Sequence, residues 1–195
     1  MGLAQRDIER HNYGDYLTWP DDDRYELIDG VAYVMAPAPA VIHQAVLVEL
    51  ARQVDEALEE SHCRVLIAPL DVRLPRGDEA DAAVDTVVQP DLLVVCDLTQ
   101  IDECGVRGAP DWIIEVLSPA TAAHDQVRKR DVYERAGVRE YWLVHPTDRI
   151  VTVYRLENGR YGRPDIAELA GQAAPQAVPG VVIDWARVTR RLPAL

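Results

Sequence analysis

The stretch that decides the fold of this chain is Asp111-Trp112-Ile113-Ile114-Glu115-Val116-Leu117-Ser118-Pro119. Residues 112–117 form an almost continuous apolar run without alternation, which is typical of a β-strand covered on both faces. Glu115 stands inside that run. A buried carboxylate costs free energy unless a cationic side chain, hydrogen bonds or a metal ion compensates its charge. Glu115 is therefore a candidate site residue. The alternative is a shorter strand that leaves Glu115 at its exposed end.

A second apolar run carries a second acid. This run is Val87-Val88-Gln89-Pro90-Asp91-Leu92-Leu93-Val94-Val95-Cys96. Proline cannot donate to a β-ladder, so Pro90 predicts that a strand begins near Asp91. If the two strands are neighbours, Asp91 and Glu115 meet at one point. One or two carboxylates, with water and phosphate oxygens, are what Mg²⁺ requires, so the pair predicts a magnesium site.

The composition is that of one globular domain. With 195 residues and 48% hydrophobic content, the chain can bury a proper core, and we predict a single domain over residues 1–195. No apolar run approaches the roughly 20 residues of a membrane helix, and Met1–Arg10 lacks the apolar segment of a signal peptide. The cysteines Cys63, Cys96 and Cys104 have no CxxC spacing, which favours reduced thiols in the cytoplasm and disfavours a zinc site.

The formal net charge of −13 argues against nucleic acid as a partner, because phosphate binding normally relies on a basic patch. One cluster of positive residues is nevertheless visible in the sequence. It consists of Arg128, Lys129, Arg130, Arg135 and Arg139. This basic cluster is either a face that binds nucleic acid or an ordinary solvated helix face, and the sequence leaves both interpretations open.

Lysine occurs once in the chain. Lysine and arginine together number 20 and 19 of them are arginines, which leaves Lys129 alone. Either Lys129 persists by chance, or its position needs a compact ammonium group and not a planar guanidinium. Lys129, Val132 and Tyr133 follow the i, i+3, i+4 spacing of one face in a helix predicted over about residues 121–136. The sequence therefore predicts that Lys129 points inward.

A β-hairpin is predicted near the start of the chain. Tyr25–Met35 contains two apolar runs around Asp29-Gly30, which is a favoured two-residue hairpin turn. Glu26 lies in the first strand of this hairpin. It is either part of a site or an ordinary acid facing solvent.

A long helix follows the hairpin. Apolar residues at helical spacing predict it over about residues 41–60, with His43 and Gln44 in its first turn. Residues 75–85 and 98–110 lack apolar periodicity, so we predict loops at both places.

The order of the predicted elements along the chain, with Asp91 and Glu115 on successive strands and Lys129 on the following helix, resembles that of the PD-(D/E)XK nuclease superfamily. Within it, the chain resembles the Uma-type restriction endonucleases, a bacterial group once classified as a domain of unknown function. The resemblance covers about residues 12–185, and it rests on the order of the motifs more than on any one of them. The matching stretches are YELIDG (Tyr25–Gly30), the His43-Gln44 helix start, QPD (Gln89–Asp91), IEVLSP (Ile114–Pro119), Asp125 with Lys129 and Tyr133, and Ala136–Val144.

The resemblance implies a fold and a reaction. The fold is of the α/β (α+β) class: a restriction-endonuclease-like core in which helices flank a central, mostly antiparallel mixed β-sheet, with an N-terminal β-hairpin. The reaction is metal-assisted hydrolysis of phosphodiester bonds in nucleic acid, with DNA as the expected substrate. Members of the superfamily often act as homodimers, and a homodimer is expected here too.

The resemblance also implies a set of site residues. Two acids and a backbone carbonyl would ligate Mg²⁺ or Mn²⁺, a lysine would orient the attacking water or stabilise developing charge, and a further acid would be an outer or second-metal ligand. Two more residues would be accessory. The metal ligands would be Asp91, Glu115 and the carbonyl of Val116, and the lysine would be Lys129. The outer or second-metal ligand would be Glu26, and the accessory residues would be His43 and Gln44.

One position departs from the superfamily pattern. The lysine expected two residues after the second acid is Leu117 here, and Lys129 would have to take its role from the following helix. That works only if the helix packs against the two acids. Otherwise the chain is a catalytically silent binding module with a nuclease fold. A metal-dependent hydrolase of another phosphoester is a further alternative.

Overall fold

The computed structural model describes residues 5–20, 24–35, 40–119 and 122–193. Within these ranges the helices are α1 (Tyr13–Tyr16), α2 (Val41–Leu58), α3 (Arg130–Ala136) and α4 (Trp185–Thr189), and a π-helix, His124–Lys129, runs directly into α3. The strands are β1 (Tyr25–Ile28), β2 (Val31–Val34), β3 (Arg64–Ile67), β4 (Val72–Arg73), β5 (Val87–Val88), β6 (Leu92–Val95), β7 (Ile101–Asp102), β8 (Gly105–Arg107), β9 (Trp112–Val116), β10 (Glu140–His145), β11 (Ile150–Glu157), β12 (Arg160–Tyr161), β13 (Asp165–Glu168), β14 (Gln172–Ala173) and β15 (Ile183–Asp184).

A seven-stranded sheet forms the centre of the molecule. Its order is β12-β11-β10-β9-β6-β3, with β13 paired to β11. Strand β9 lies inside this sheet, parallel to β10 and antiparallel to β6. All five residues of β9 are buried, so the predicted strand covered on both faces is present. The alternative, with Glu115 at an exposed strand end, is wrong.

Alternate residues of β6 and β9 enter two different cores. Leu92, Val94, Trp112 and Ile114 pack in one core with α2 and α4. Leu93, Val95 and Ile113 pack in the other core, with residues of β4, β5 and β8. Because Glu115 follows Ile114, its side chain points to the second core, which lies between the two large sheets.

The second large sheet has six strands in the order β2-β1-β5-β4-β8-β7. It contains the predicted hairpin, in which β1 and β2 pair antiparallel around Asp29 and Gly30. Those two residues have φ values of 52° and 77°. Two consecutive positive φ values are what a type I′ turn requires, and an Asp-Gly pair adopts them readily. This sheet places β1, and hence Glu26, above the face of the central sheet that carries Glu115.

The architecture differs from the expected one in its sheets. The sequence predicts one central sheet, whereas two large sheets and a two-stranded one, β14 with β15, are present in the described ranges. Residues 98–110, predicted as a loop, contain the antiparallel pair β7 and β8. Residues 75–85 contain a short 3-10 helix, Asp81–Ala83, and the Asp81 carboxylate pairs with Arg73 and Arg107.

The helix that carries Lys129 also differs from the prediction. The start expected near Thr121 lies outside the described residues. Ala122 and Ala123 are α-helical, the backbone from His124 to Lys129 is π-helical, and α3 follows from Arg130. Helix α3 ends at Ala136 and is capped by Gly137, whose φ of 95° is a left-handed conformation that glycine adopts without strain.

The expectation of reduced thiols is wrong for two of the three cysteines. Cys63 and Cys96 form a disulfide bond, while Cys104 is free and exposed. Since Arg64 of β3 pairs with Val95 of β6, the adjacent Cys63 and Cys96 lie opposite each other across the two strands. The bond was not predictable from spacing, because it joins residues 33 positions apart whose proximity depends on strand register.

Candidate active site

Strand register brings the two predicted acids together. Leu92 of β6 is opposite Ile114 of β9, so Asp91, one residue earlier, comes opposite Glu115. The backbone N–H of Asp91 donates to Oε2 of Glu115 at 3.2 Å. In return, the N–H of Val116 donates to Oδ2 of Asp91 at 2.8 Å. The two carboxylates are therefore neighbours and are held by each other's strands.

Glu115 is almost completely buried, with 3% of its surface exposed. Its Oε1 accepts hydrogen bonds from Lys129 Nζ at 2.9 Å and from the Tyr133 hydroxyl at 3.0 Å. Both donors come from the inward face of the helix after β9. The structure thus brings Lys129 to the second acid, as the departure from the superfamily pattern requires.

Lys129 lies among three carboxylates. Its Nζ is 2.8 Å from Glu26 Oε1, 2.9 Å from Glu115 Oε1 and 3.7 Å from Asp125 Oδ1. Burial lowers the pKa of Lys129, but the charges of Glu115, Glu26 and Asp125 outweigh it and raise that pKa well above its ordinary value. Lys129 is therefore an ammonium ion despite its burial.

The pKa of Glu115 is raised well above its ordinary value. Burial is the main cause, and the Lys129 ammonium opposes it. The carboxylates of Asp91, Asp125 and Glu26 act in the same direction as burial, because like charges disfavour ionisation. Negative charge thus exceeds what Lys129 alone compensates at this point, and a bound divalent cation would offset the excess.

Glu26 joins the cluster from the other sheet, with 1% of its surface exposed. In addition to Lys129, its Oε1 accepts a hydrogen bond from the backbone N–H of Gln89 at 2.8 Å. Its Oε2 lies 3.0 Å from Nε2 of His124. Burial raises the pKa of Glu26, but Lys129 and His124 together lower it to about 2. The interpretation of Glu26 as a solvent-facing acid is wrong.

The accessory residues predicted on α2 have different positions. His43 is buried, and its Nε2 lies 3.0 Å from Oδ2 of Asp91. Gln44 is exposed on the same helix turn. Val116 contacts Asp91 through its N–H, and a metal-binding role for its carbonyl stays a prediction.

His124 is the neighbour of the cluster that the sequence did not indicate. It is 98 residues away from Glu26 in the chain and five residues before Lys129. In a regular α-helix, residues five apart point roughly 140° away from each other. The π-helical turn brings both side chains to Glu26, and no periodicity in the sequence announces such a turn. The nearest signal was Asp125, which belongs to the motif resemblance.

The donor atoms fit a hard cation. Carboxylate oxygens are the ligands that Mg²⁺ and Mn²⁺ prefer, and the Asp91 side chain is 20% exposed, so it is open to solvent. The acids do not form a closed cage. In the described ranges, one group of at least three His, Cys, Asp or Glu residues has all its ligand atoms within 4.8 Å of one another. That group consists of His62, Cys63 and Cys96, and it does not include the acids of the candidate site. Ions at Asp91 and Glu115 would thus draw further ligands from water and substrate.

The basic cluster around the helix is largely neutralised. Lys129 is buried in the site, and three of the arginines pair with aspartates. These pairs are Arg130 with Asp131, Arg135 with Asp29, and Arg139 with Asp111. The guanidinium of Arg128 instead lies 5.0 Å from the centre of the Tyr33 ring, which also contacts the His124 ring.

Comparison with known proteins identifies the family. The family model described as "Uma2: Putative restriction endonuclease" matches residues 13–186, which include both acids, Glu26, His43 and Lys129. The chain belongs to the Uma2 family. The resemblance drawn from the sequence motifs is thereby confirmed.

Two relatives of the Uma2 chain are informative. The "Uncharacterized protein slr1290" of Synechocystis sp. (strain ATCC 27184 / PCC 6803 / Kazusa) is 25% identical over 143 residues, 72% of this chain and 71% of that protein. A crystal structure of "a putative nuclease belonging to DUF820" from Anabaena variabilis ATCC 29413 is similar with a TM-score of 0.72 at 20% identity. That alignment covers 93% of this chain and 99% of the other. It confirms the mixed α+β fold.

Proposed function

We propose that this Uma2 protein is a metal-dependent endonuclease that hydrolyses phosphodiester bonds of DNA. The observation that carries the proposal is the meeting of Asp91, Glu115 and Lys129, with Lys129 Nζ 2.9 Å from Glu115. The three residues come from two strands and the following helix, and Lys129 is the one lysine of the chain. The family's description supports the class of reaction, and the geometry supports the roles.

In this proposal Asp91 and Glu115 would hold Mg²⁺ or Mn²⁺, and the Val116 carbonyl would be a further ligand. The bound cation would polarise the scissile phosphate and lower the pKa of a water molecule. Lys129 holds its ammonium group beside Glu115, where it stabilises negative charge that develops on the phosphate. The Tyr133 hydroxyl and Nε2 of His43 keep the carboxylates of Glu115 and Asp91 in place.

A binding module with a silent nuclease fold is the second candidate function. The observations that favour it are the net charge of −13 and the pairing of Arg130, Arg135 and Arg139 with aspartates. Both weaken the electrostatic attraction that nuclease substrates normally need. A hydrolase of another phosphoester would share the metal site, and a screen of phosphoester substrates separates it from the nuclease.

Calorimetric titration with Mn²⁺ and a plasmid-nicking assay test the proposal together. We expect wild-type protein to bind Mn²⁺ and Asp91→Ala to lose that binding. Lys129→Met should retain Mn²⁺ binding and lower the nicking rate by about 100-fold or more, because a charge directed at the transition state is lost. Arg130→Gln is the matched control, since Arg130 is the next residue and pairs with Asp131 outside the cluster. Wild-type protein that binds no Mn²⁺ would contradict the nuclease assignment and favour the silent fold.

Two further properties belong to the same proposal. A homodimer follows from the resemblance, and sedimentation velocity at micromolar concentration measures it. A cytoplasmic location was expected from the cysteine spacing, the Cys63–Cys96 disulfide bond argues against it, and fractionation of the native host measures it. In the part of the chain that the structure describes, no helix combines the length and the apolar character needed to cross a membrane.

A further inference from the structure

We propose that His124 is a positioning residue that acts through Glu26 to fix the ammonium group of Lys129. In this arrangement Glu26 orients the lysine and is not a metal ligand, which revises the role that the family resemblance implies for it. The catalytic consequence rests on the proposed function. The positioning itself rests on contacts that are independent of it.

Each oxygen of Glu26 faces a side-chain donor, whereas Oε2 of Glu115 faces the backbone N–H of Asp91 at 3.2 Å. Oε1 accepts from the Gln89 N–H and from Lys129, and Oε2 faces His124. Glu26 and Glu115 are both buried, with 1% and 3% of their surfaces exposed, but Glu115 adjoins Asp91, whose side chain is 20% exposed. A metal ion at Glu26 would have to displace Lys129 or His124. The Glu26 carboxylate is therefore better suited to orient Lys129 than to bind a metal ion.

The contacts of His124 indicate which ring nitrogen carries the proton. Nε2 faces the Glu26 carboxylate, while Nδ1 is buried and has no hydrogen-bond partner. A protonated Nδ1 would leave a buried N–H unpaired, which costs free energy. We therefore assign Nε2–H as the group that donates to Glu26. The ring edge rests on Tyr33, with 5.1 Å between ring centres, and this contact holds its orientation.

The π-helix makes this arrangement possible. It runs from His124 to Lys129, and the side chains of these two end residues both contact the Glu26 carboxylate. π-helical turns are rare and frequently mark functional sites, because they cost backbone hydrogen-bond geometry. Here the wide turn puts one donor on each carboxylate oxygen. Lys129 is thereby held between Glu26 and Glu115 at 2.8 Å and 2.9 Å.

The single lysine allows a direct test. Protein made with lysine labelled with ¹⁵N at Nζ has one labelled ammonium group, that of Lys129. We expect its NMR signal in metal-free wild-type protein to be sharp and protected from hydrogen exchange, because the group is buried and hydrogen-bonded. His124→Leu and Glu26→Gln should accelerate exchange at least tenfold. His124→Gln should restore part of the protection, since its amide can donate to Glu26. His145→Gln, on β10, is the matched control.

Two results would overturn the proposal. One is an unchanged ammonium signal in folded His124→Leu protein, with folding checked by urea denaturation. The other is a loss of Mn²⁺ affinity of tenfold or more in Glu26→Gln, which would make Glu26 a metal ligand. For Glu26→Gln we expect a Mn²⁺ affinity within twofold of that of wild-type protein and a lower kcat for plasmid nicking. Because the NMR experiment uses neither metal nor DNA, a failure of the nuclease assignment would leave its outcome interpretable.

Discussion

Glu26 keeps a negative charge at a position that excludes water because donors contact both of its oxygens. Lys129 and the Gln89 N–H contact one oxygen, and His124 contacts the other. Burial acts against the charged form, yet the pKa of Glu26 falls to about 2. The free energy of unfolding therefore depends on the ionisation of this residue.

The sign of that dependence follows from the lowered pKa. An acid whose pKa is lower in the folded state stabilises the fold above its ordinary pKa, here 4.5, and this stabilisation disappears as pH falls through about 2. We expect Glu26→Gln to lower the free energy of unfolding by roughly 3 kcal/mol at pH 7 and by progressively less below pH 4.5. Urea unfolding at pH 7, 4 and 3 measures this, with the exposed Asp55→Asn as control. A deficit that is the same at all three pH values would contradict it.

Residues that are unusual for their surroundings were predictable as site candidates. Asp91 and Glu115 are acids within apolar runs, and Lys129 is a lone lysine on an inward helix face. Each violates a local rule, and such violations tend to occur at functional sites. His124 violates none, because a histidine near the start of a predicted helix is ordinary. Its importance depends on a backbone irregularity and on a strand from another sheet.

At the scale of elements, the disulfide ties the edge strand β3 to β6, the strand that begins beside Asp91. Strand β3 is the last in the order of the central sheet and has one strand partner. An edge strand with a single neighbour is expected to separate first when the sheet opens. The covalent bond counteracts that tendency at the end of β6 that lies away from Asp91.

Removing the disulfide should destabilise the protein measurably. The bond closes a loop between residues 33 positions apart, for which the loss of chain entropy predicts a stabilisation of about 3–4 kcal/mol. We expect the double variant Cys63→Ser, Cys96→Ser, and wild-type protein with a phosphine reductant, to unfold at lower urea concentration. Cys104→Ser is the control, since that thiol is free. Equal midpoints with and without reductant would show that the bond contributes nothing.

Elements with a strong local signal were predictable. The hairpin follows from Asp29-Gly30, and α2 from a helical repeat of apolar residues that ends at Leu58, near the predicted end. Strands β7 and β8 carry no such signal, because they contain only two and three residues. Strand β8 is stabilised by parallel pairing with β4, which lies more than 30 residues away, and periodicity cannot report that contact.

At the scale of the whole molecule, the central sheet is covered by α2 and α4 on one face and by the second large sheet on the other. The candidate site lies on the second side, where β1, β6, β9 and the π-helix meet. The fold class was predictable from the sequence, whereas the division into two sheets was not. That division depends on which distant strands pair, and the sequence pattern records only which residues become buried.

The distribution of charge leads to a prediction for DNA binding. Of the basic cluster, Arg128 has an aromatic neighbour, Tyr33, and this contact places it at the edge of the site. We expect Arg128→Ala to weaken DNA binding severalfold, to reduce the slope of log affinity against log salt by about 1, and to leave Mn²⁺ affinity unchanged. Fluorescence anisotropy between 50 and 200 mM salt measures this. An unchanged slope would mean that Arg128 contacts no phosphate.

The burial of the one lysine has a consequence for the outer surface. Its exposed positive charges belong to arginine and histidine side chains, because Lys129 is enclosed in the cluster. Guanidinium groups stay protonated far above the pH at which lysine ammonium groups are lost. In alkaline buffers that discharge an ordinary lysine-rich surface, this protein therefore keeps its arginine charges. The proposed binding of DNA should accordingly persist in such buffers.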